Sequence, residues 1–196
     1  MGLDKALNNE NLIEVLKKDG VVVMPTDTIY GIVGNALNVS VVNLIYNIRK
    51  RSPEKPCIIL IGDISELKKF PIILSEKQKT AIKKYWSFDS TQNKFVPVSI
   101  IFECPDEALS YLHRGTKTLA FRLPAEQALR NLLLKTGPLI APSANLEGLP
   151  PAQNIYEAKK YFGNAVDLYI DGGTIGNKAS KIIKLRKDGS VSILRK

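Results

Sequence analysis

Residues 21–31, VVVMPTDTIYG, carry the strongest indication of the fold. The first four residues are apolar, which predicts a buried strand, and the polar side chains of Thr26, Asp27 and Thr28 follow at once. Residues 138–145, PLIAPSAN, have the same organisation more than a hundred residues later. In an α/β sheet, ligands bind beyond the ends of the strands. Either segment alone could be a turn or a helix cap, but the pair favours a ligand site at one edge of a sheet.

Apolar and amphipathic segments along the rest of the chain predict an α/β fold. Strands are expected at 21–24, 57–61, 96–102, 118–123, 139–140, 166–170, 181–185 and 191–194. Residues 30–34 could form a second short strand or a turn fixed by glycine. Helices are expected at 41–48, 64–70, 75–86, 124–135 and 154–162, with Pro124 in the first turn of its helix. Helices and strands alternate first and strands accumulate later, which predicts a twisted, mixed, open sheet with helices on its faces. No linker is long enough to divide the chain, so residues 1–196 are expected to form one domain.

The composition argues against a membrane protein. The 196 residues include 28 lysines and arginines against 19 acidic residues, giving a formal charge of +9. Such a charge suits nucleotides, nucleic acids and other anions, although proteins without these partners also carry it. No stretch approaches the roughly 18 apolar residues of a membrane span, and the N-terminus lacks the apolar region of a signal peptide. We therefore expect a cytoplasmic protein.

Zinc binding and histidine-based catalysis are not expected. Cys57 and Cys104 are far apart, and each borders an apolar run, which is typical of buried reduced thiols. His113 is the single histidine. The chain therefore lacks the ligand spacing of a zinc site and the base of a Ser-His-Asp triad.

Several polar side chains are candidates for a binding site, and each has a second interpretation. Arg49, Arg51 and Lys55 follow a predicted helix and could form either a solvated helix end or a clamp for phosphate and carboxylate groups. Arg122 could be a surface residue of an edge strand or a carboxylate-binding arginine inside a cleft. Residues 143–145, Ser-Ala-Asn, could be turn formers or ligand contacts. No Walker-type or dinucleotide-binding sequence is present.

In their order and spacing, these segments resemble the YrdC-like threonylcarbamoyl-AMP synthase family. The resemblance covers nearly all of residues 10–196 and corresponds to the short, single-domain form of the family. It rests on PTDTIYG at 25–31, the basic segment 49–56, FRLP at 121–124, Ser-Ala-Asn within 138–151, VDLYIDGG at 166–173, Ser180, and ILR at 193–195.

The resemblance implies an open α/β fold around a deep, positively charged cleft. Members of this family join L-threonine, bicarbonate and ATP into threonylcarbamoyl-AMP and release pyrophosphate. A separate transferase complex then moves the threonylcarbamoyl group to adenosine 37 of tRNAs that read ANN codons. Mg²⁺ is expected to accompany the triphosphate of ATP rather than to occupy a cage of protein carboxylates.

The resemblance also implies roles for individual residues. Those expected to bind threonine are Thr28, Arg122, Ala141 and Ser180, with Arg122 facing the carboxylate. Those expected to surround ATP are Arg51, Lys55, Thr118, Ser143, Pro151 and Arg195. The family's catalytic tetrad would consist of Arg49, Arg51, Ser143 and Asn145.

The chain departs from the family's pattern at three places. Arg49 stands where the family usually has lysine, which keeps the charge but changes the geometry of the donors. The family's Trp-Pro-Gly-Pro is replaced by WSFD at 86–89, and its Ser-Thr-Ile/Val by SKI at 180–182. These changes are expected to affect loop geometry and rate more than the reaction itself.

Two other functions remain as alternatives at this point. The first is a non-catalytic RNA-binding or ribosome-associated protein that uses the basic cleft, although the basic clusters lack interleaved aromatic residues for base stacking. The second is a related carbamoyl-adenylate activity, as in the YrdC-like segment of hydrogenase-maturation carbamoyltransferases.

Overall fold

The structure is a computed structural model that describes residues 3–86, 97–176 and 179–196. Within these residues the strands are β1 (Val22–Pro25), β2 (Tyr30–Asn35), β3 (Ile58–Leu60), β4 (Val98–Glu103), β5 (Thr118–Arg122), β6 (Leu139–Ile140), β7 (Leu168–Tyr169), β8 (Lys181–Leu185) and β9 (Val191–Arg195). The helices are α1 (Leu3–Leu7), α2 (Glu10–Lys17), α3 (Val39–Ile48), α4 (Glu76–Tyr85), α5 (Ser110–His113), α6 (Gln127–Thr136) and α7 (Ile155–Phe162). Short 3-10 helices cover Ile64–Lys69 and Glu107–Leu109.

All strands of the described residues belong to one mixed sheet, in the order β7-β1-β2-β6-β3-β5-β4-β8-β9. The pairs β1–β7, β3–β5 and β4–β8 are parallel, and the remaining neighbours are antiparallel. The strand β5 lies between β3 and β4, in the interior of the sheet. The mixed sheet predicted from the sequence is therefore confirmed.

Helices cover both faces of the sheet, which explains why residues 21–24 are apolar throughout. Val21 and Val23 face one core, with side chains of α3, α4, α5 and α7, whereas Val22 and Met24 face a second core with α1, α2 and α6. A strand that is buried on both faces needs a continuous apolar run rather than an alternating one. The sequence 21–24 meets that requirement.

The β1–β2 connection is a tight turn built by Thr26. Its backbone N–H donates to the Ile29 carbonyl at 3.2 Å, and its hydroxyl donates to the same oxygen at 2.7 Å. The hydroxyl oxygen also accepts the backbone N–H of Thr28 at 3.2 Å. Thr26 therefore shapes the turn that presents Thr28, as expected for a hydroxyl residue next to a reversal of the chain.

Two predicted helices differ from the structure. Residues 64–69 form a 3-10 helix, which Asp63 caps through a hydrogen bond from the Ser65 N–H. The helix predicted from Pro124 begins at Gln127, so Pro124 lies before the helix and not in its first turn. The intervening loop is held by the Ala125 N–H, which donates to Asp27 Oδ2 at 3.1 Å, a contact between segments that local sequence patterns do not show.

Candidate active site

A cavity of about 300 Å³ lies where the β1–β2 turn, the segment after α3, the loop after β6 and the entrance to β8 meet. The sequence-predicted site residues in its lining are Thr28, Arg51, Arg122, Ala141, Ser143, Pro151, Ser180 and Arg195. The remaining predicted residues, Arg49, Lys55, Thr118 and Asn145, lie outside the lining.

The two polar segments that opened the sequence analysis form one wall of this cavity. The Ile32 N–H donates to the Pro142 carbonyl at 3.0 Å, and the Ala144 N–H donates to the Tyr30 carbonyl at 2.9 Å. Gly31 and Ser143 form an isolated antiparallel bridge between these two hydrogen bonds. Backbone pairing therefore fixes residues 141–145 directly against the turn that carries Thr28.

Arg122 is a buried residue of the cavity wall. Its side chain is 6% exposed, and its Nη2 atom lies 3.0 Å from Asp27 Oδ1, which is itself only 2% exposed at the side chain. The two atoms form an ion pair, but their alignment does not make a hydrogen bond. Burial lowers the pKa of Arg122, and the Asp27 carboxylate opposes that shift. The interpretation of Arg122 as a surface residue of an edge strand is wrong, since β5 is interior.

Arg49 is buried behind the wall and organises it. Its Nε donates to the Asn145 carbonyl, and its Nη2 donates to Asn145 Oδ1, each at 3.0 Å. The same Nη2 lies 3.3 Å from Ser143 Oγ, which it also donates to. Burial, with the neighbouring charge of Arg51, lowers the pKa of Arg49 to about 10, so it stays protonated at neutral pH. A solvated helix end is therefore the wrong interpretation for Arg49.

Arg51 lines the cavity from a loop rather than a strand. Its Nε donates to the Lys55 carbonyl at 2.9 Å, and its Nη2 donates to the Pro56 carbonyl at 3.1 Å. These bonds to backbone oxygens fix the plane of the guanidinium without neutralising its charge. The arginine is thereby oriented while remaining available to an anion.

Lys55 is held at the rim by Glu147. The Lys55 ammonium pairs with Glu147 Oε1, and the Ser52 N–H donates to Glu147 Oε2. The Lys55 side chain is 61% exposed. The Glu147 N–H donates to the Arg49 carbonyl at 3.0 Å, so one residue connects the basic segment 49–56 to the loop after β6.

Ser180 and Arg195 close the cavity on the side of β8 and β9. Arg195 Nε donates to the Ser180 carbonyl at 2.8 Å, and its Nη2 lies 3.4 Å from Ser180 Oγ. Burial lowers the pKa of Arg195, and the charge of Arg122 acts in the same direction. Three arginines, Arg51, Arg122 and Arg195, thus contribute to the lining. The overall potential of the cleft stays a prediction.

Cys57 also lies in the lining, and its environment argues against a role as a nucleophile. Burial raises the pKa of its thiol, against the opposing influence of Arg51. The thiol is therefore protonated at neutral pH, whereas the reactive form of cysteine is the thiolate.

Thr118 is not part of this cavity. It begins β5, whereas Arg122 ends that strand, so about 13 Å of extended chain separate the two residues. Thr118 lines a different depression of about 460 Å³, together with Thr116, Lys117, Lys184 and Lys187. Its expected contact with ATP stays a prediction.

Sequence reasoning missed two carboxylates beside the site, Asp27 and Glu147. Asp27 lies between two threonines that drew attention for their hydroxyl groups, and no local pattern connects it to Arg122. Glu147 follows Asn145 closely, but no local pattern connects it to Lys55, 92 residues earlier.

No metal-binding cluster and no membrane span occur in the part of the chain that the structure describes. Nowhere in that part do three or more His, Cys, Asp or Glu side chains come together as metal ligands. None of its helices has the length and apolar character needed to cross a membrane.

The replaced segment at 86–89 lies outside the described residues from Ser87 onward.

Comparison with known proteins identifies the family. Residues 14–196 match the Sua5/YciO/YrdC family model, which carries the description "Telomere recombination". The chain belongs to the Sua5/YciO/YrdC family. This confirms the family resemblance seen in the sequence.

The relatives differ in the share of their own length that matches this chain. Threonylcarbamoyl-AMP synthase of Bacillus subtilis is 34% identical over 165 residues, which are 83% of this chain but 45% of that protein. A relative from Methanocaldococcus jannaschii is 32% identical over 200 residues, 95% of this chain and 88% of the relative. The structure of P. abyssi Sua5 complexed with L-threonine shares the fold, with a TM-score of 0.80 and 24% identity, over 100% of this chain and 54% of that one. The chain thus spans about half the length of the first and the third of these Sua5/YciO/YrdC proteins.

Proposed function

We propose that this member of the Sua5/YciO/YrdC family forms threonylcarbamoyl-AMP and pyrophosphate from L-threonine, bicarbonate and ATP. The observation that carries the proposal is one cavity lined both by residues expected for threonine and by residues expected for ATP. The name of the Bacillus subtilis relative and the L-threonine in the P. abyssi Sua5 structure support it.

The threonine would lie on the side of the cavity formed by Thr28, Arg122 and Ser180. Arg122 is the natural partner for the carboxylate, since a guanidinium offers several N–H donors in a fixed plane. Its ion pair with Asp27 would keep that plane in place before the ligand arrives. The hydroxyls of Thr28 and Ser180 would provide hydrogen bonds to the polar groups of the amino acid.

The triphosphate would lie on the side formed by Arg51, Ser143 and Arg195. The proposed chemistry begins with the threonine amine and bicarbonate, which condense to N-carboxythreonine and water. A carboxylate oxygen of this intermediate attacks the α-phosphorus, the bond from that phosphorus to the bridging oxygen breaks, and pyrophosphate leaves. The reaction needs no protein nucleophile, and catalysis would consist of positioning the reactants and neutralising charge on the phosphates.

Mg²⁺ would enter as part of the MgATP substrate. The Asp27 carboxylate, which lies outside the cavity lining, is already committed to Arg122 and Ala125. The ranges that the structure describes contain no group of three or more His, Cys, Asp or Glu side chains that could hold a metal ion. Phosphate oxygens and water would therefore supply the ligands of the ion, which would reduce the charge of the triphosphate.

Non-catalytic RNA binding is less well supported. Arg49 and Arg122 are buried, and their guanidinium groups are engaged with Asn145, Ser143 and Asp27 rather than displayed on a surface.

We propose that the product passes to a tRNA threonylcarbamoyl transferase complex in the cytoplasm.

The decisive experiment measures pyrophosphate release from ATP while threonine and bicarbonate are omitted in turn. We expect release only when all three substrates are present. Carbamoyl phosphate in place of threonine and bicarbonate tests the related carbamoyl-adenylate activity and is expected to give no release. A folded sample that binds ATP but shows no threonine dependence would contradict the proposal, and steeply salt-dependent RNA affinity in that sample would favour RNA binding.

A further inference from the structure

A buried pair of hydroxyl groups lies directly behind the cavity. Ser99 of β4 is 0% exposed and Ser180 is 2% exposed, and their Oγ atoms are 2.8 Å apart. Ser180 lies in the cavity lining, whereas Ser99 lies behind it. The hydroxyl of Ser99 is thus within hydrogen-bond distance of a residue expected to touch the ligand.

The sheet places Ser99 between the two sides of the proposed threonine site. Its register partner on β5 is Arg122, and its partner on β8 is Ile182, two residues after Ser180. Arg195 also contacts Ser180, donating to the Ser180 carbonyl from Nε and approaching the Ser180 hydroxyl with Nη2. The Ser180 side chain is therefore fixed between Ser99 and Arg195.

Packing alone gives no reason for a hydroxyl at this position. The remaining residues of β4 before Glu103 are apolar, and a buried hydroxyl without a partner destabilises a core. Alanine would fill nearly the same volume without that requirement. The hydrogen bond to Ser180 is what the Ser99 hydroxyl adds.

We propose that Ser99 is a positioning residue for threonine, acting through the hydroxyl of Ser180. This inference rests on the proposed function and adds a residue that does not itself reach the ligand. Without Ser99, Ser180 Oγ would keep only its long contact with Arg195, and the serine would turn among its rotamers in the unliganded cavity. Threonine would then have to order the Ser180 hydroxyl when it binds, and this cost would weaken the binding of threonine but not that of ATP.

The test is a double-mutant cycle on threonine affinity, measured by calorimetry so that the readout does not depend on turnover. The variants are Ser99→Ala, Ser180→Ala and both together. Loss of one hydrogen bond predicts threonine binding about three- to tenfold weaker for Ser99→Ala. In the Ser180→Ala background, Ser99→Ala is expected to have no further effect, because its route to the ligand is already removed. ATP affinity should stay unchanged in Ser99→Ala.

A matched control is Ile100→Val, on the same strand and also 0% exposed. It removes a buried methylene, so it should lower the melting temperature without changing threonine affinity. If Ser99→Ala fails to fold, Ser99→Cys, which replaces the hydroxyl with a weaker hydrogen-bonding group, takes its place in the same cycle.

Three outcomes would overturn the assignment of Ser99: unchanged threonine affinity in Ser99→Ala, additive losses in the double variant, or equal losses for threonine and ATP. Absence of threonine binding in the unaltered, folded chain is a different result. It would overturn the proposed function, and this inference with it.

Discussion

Arg122 and Arg51 line the same cavity, but the protein fixes them by different means. Arg122 ends an interior strand, is buried, and faces the carboxylate of Asp27. Arg51 lies in a loop, and its guanidinium donates to the backbone carbonyls of Lys55 and Pro56. One arginine is oriented by an opposite charge, and the other by neutral oxygens.

The difference suggests a division of roles between the two sides of the cavity. Asp27 offsets part of the charge of Arg122, so this side suits a ligand group with one negative charge. Arg51 keeps its full charge near the surface, which suits the several charges of a triphosphate. Changes at Arg122 should therefore affect stability and threonine binding, whereas changes at Arg51 should mainly affect the rate.

Loss of the buried ion pair between Arg122 and Asp27 should have the greatest consequence of all. Arg122→Ala leaves the carboxylate of Asp27 buried without its partner, and such a loss typically costs about 3–5 kcal/mol of folding free energy. Denaturant unfolding of the variant measures this cost. The double variant Asp27→Asn/Arg122→Gln, which carries no buried charge, should regain much of the stability but no threonine binding. A double variant as unstable as Arg122→Ala would show that charge burial is not the cause.

The second expected effect is on catalysis and concerns Arg51, which lines the cavity from a loop. Arg51→Ala should leave the melting temperature nearly unchanged and reduce the rate of pyrophosphate release about 10²–10³-fold, as for other preorganised donors at a developing charge. Arg186→Ala is a matched control, because Arg186 is an exposed arginine that also donates a hydrogen bond, to Ser192. A loss of stability in Arg51→Ala comparable to that of Arg122→Ala would remove the contrast between the two sides.

Local patterns were sufficient for the mixed sheet and for the meeting of the two polar segments. The run 21–24 is apolar on both faces because helices cover both faces, and such a run is visible without any structure. The segments 25–31 and 138–145 could be placed together because both follow buried strands of one sheet. In both cases the physical cause lies in neighbouring residues, so a local sequence pattern is enough to predict the result.

The burial of Arg49 and the carboxylate partners could not be predicted in this way. A basic residue at the end of a helix is usually solvated, and Arg49 is buried because Ser143 and Asn145 return to it from 94 and 96 residues away. Asp27 pairs with Arg122 over a similar separation. Thr118 is the opposite case, because it was expected near ATP but lies outside the cavity. Strand alternation places it on the same face as Arg122 but at the far end of the strand. Long-range pairing decides these positions. The family resemblance grouped Arg49 with Ser143 and Asn145, but no local pattern showed that these contacts bury the arginine.

The smallest expected effect tests whether Glu147 supports Arg51 by holding its loop. Glu147→Gln should raise the KM for ATP about two- to fivefold, since an exposed ion pair contributes little. The control is Glu76→Gln, which removes a similar exposed pair with Lys79 that lies within a single helix, and it should leave that KM unchanged. A lower KM in Glu147→Gln would contradict the idea, because it would mean that Glu147 competes with phosphate for Lys55.

The pH dependence of the same KM provides a second measurement. Hydrogen bonds from Lys55 and from the Ser52 N–H lower the pKa of Glu147 in the folded chain. A carboxylate with a lowered pKa stabilises its contacts at neutral pH, and that contribution is lost as the pH falls through the lowered value. The KM of the unaltered chain should therefore approach that of Glu147→Gln as the pH falls below the ordinary range for glutamate. Two KM curves that stay parallel in acid would show that the tether acts through shape and not through charge.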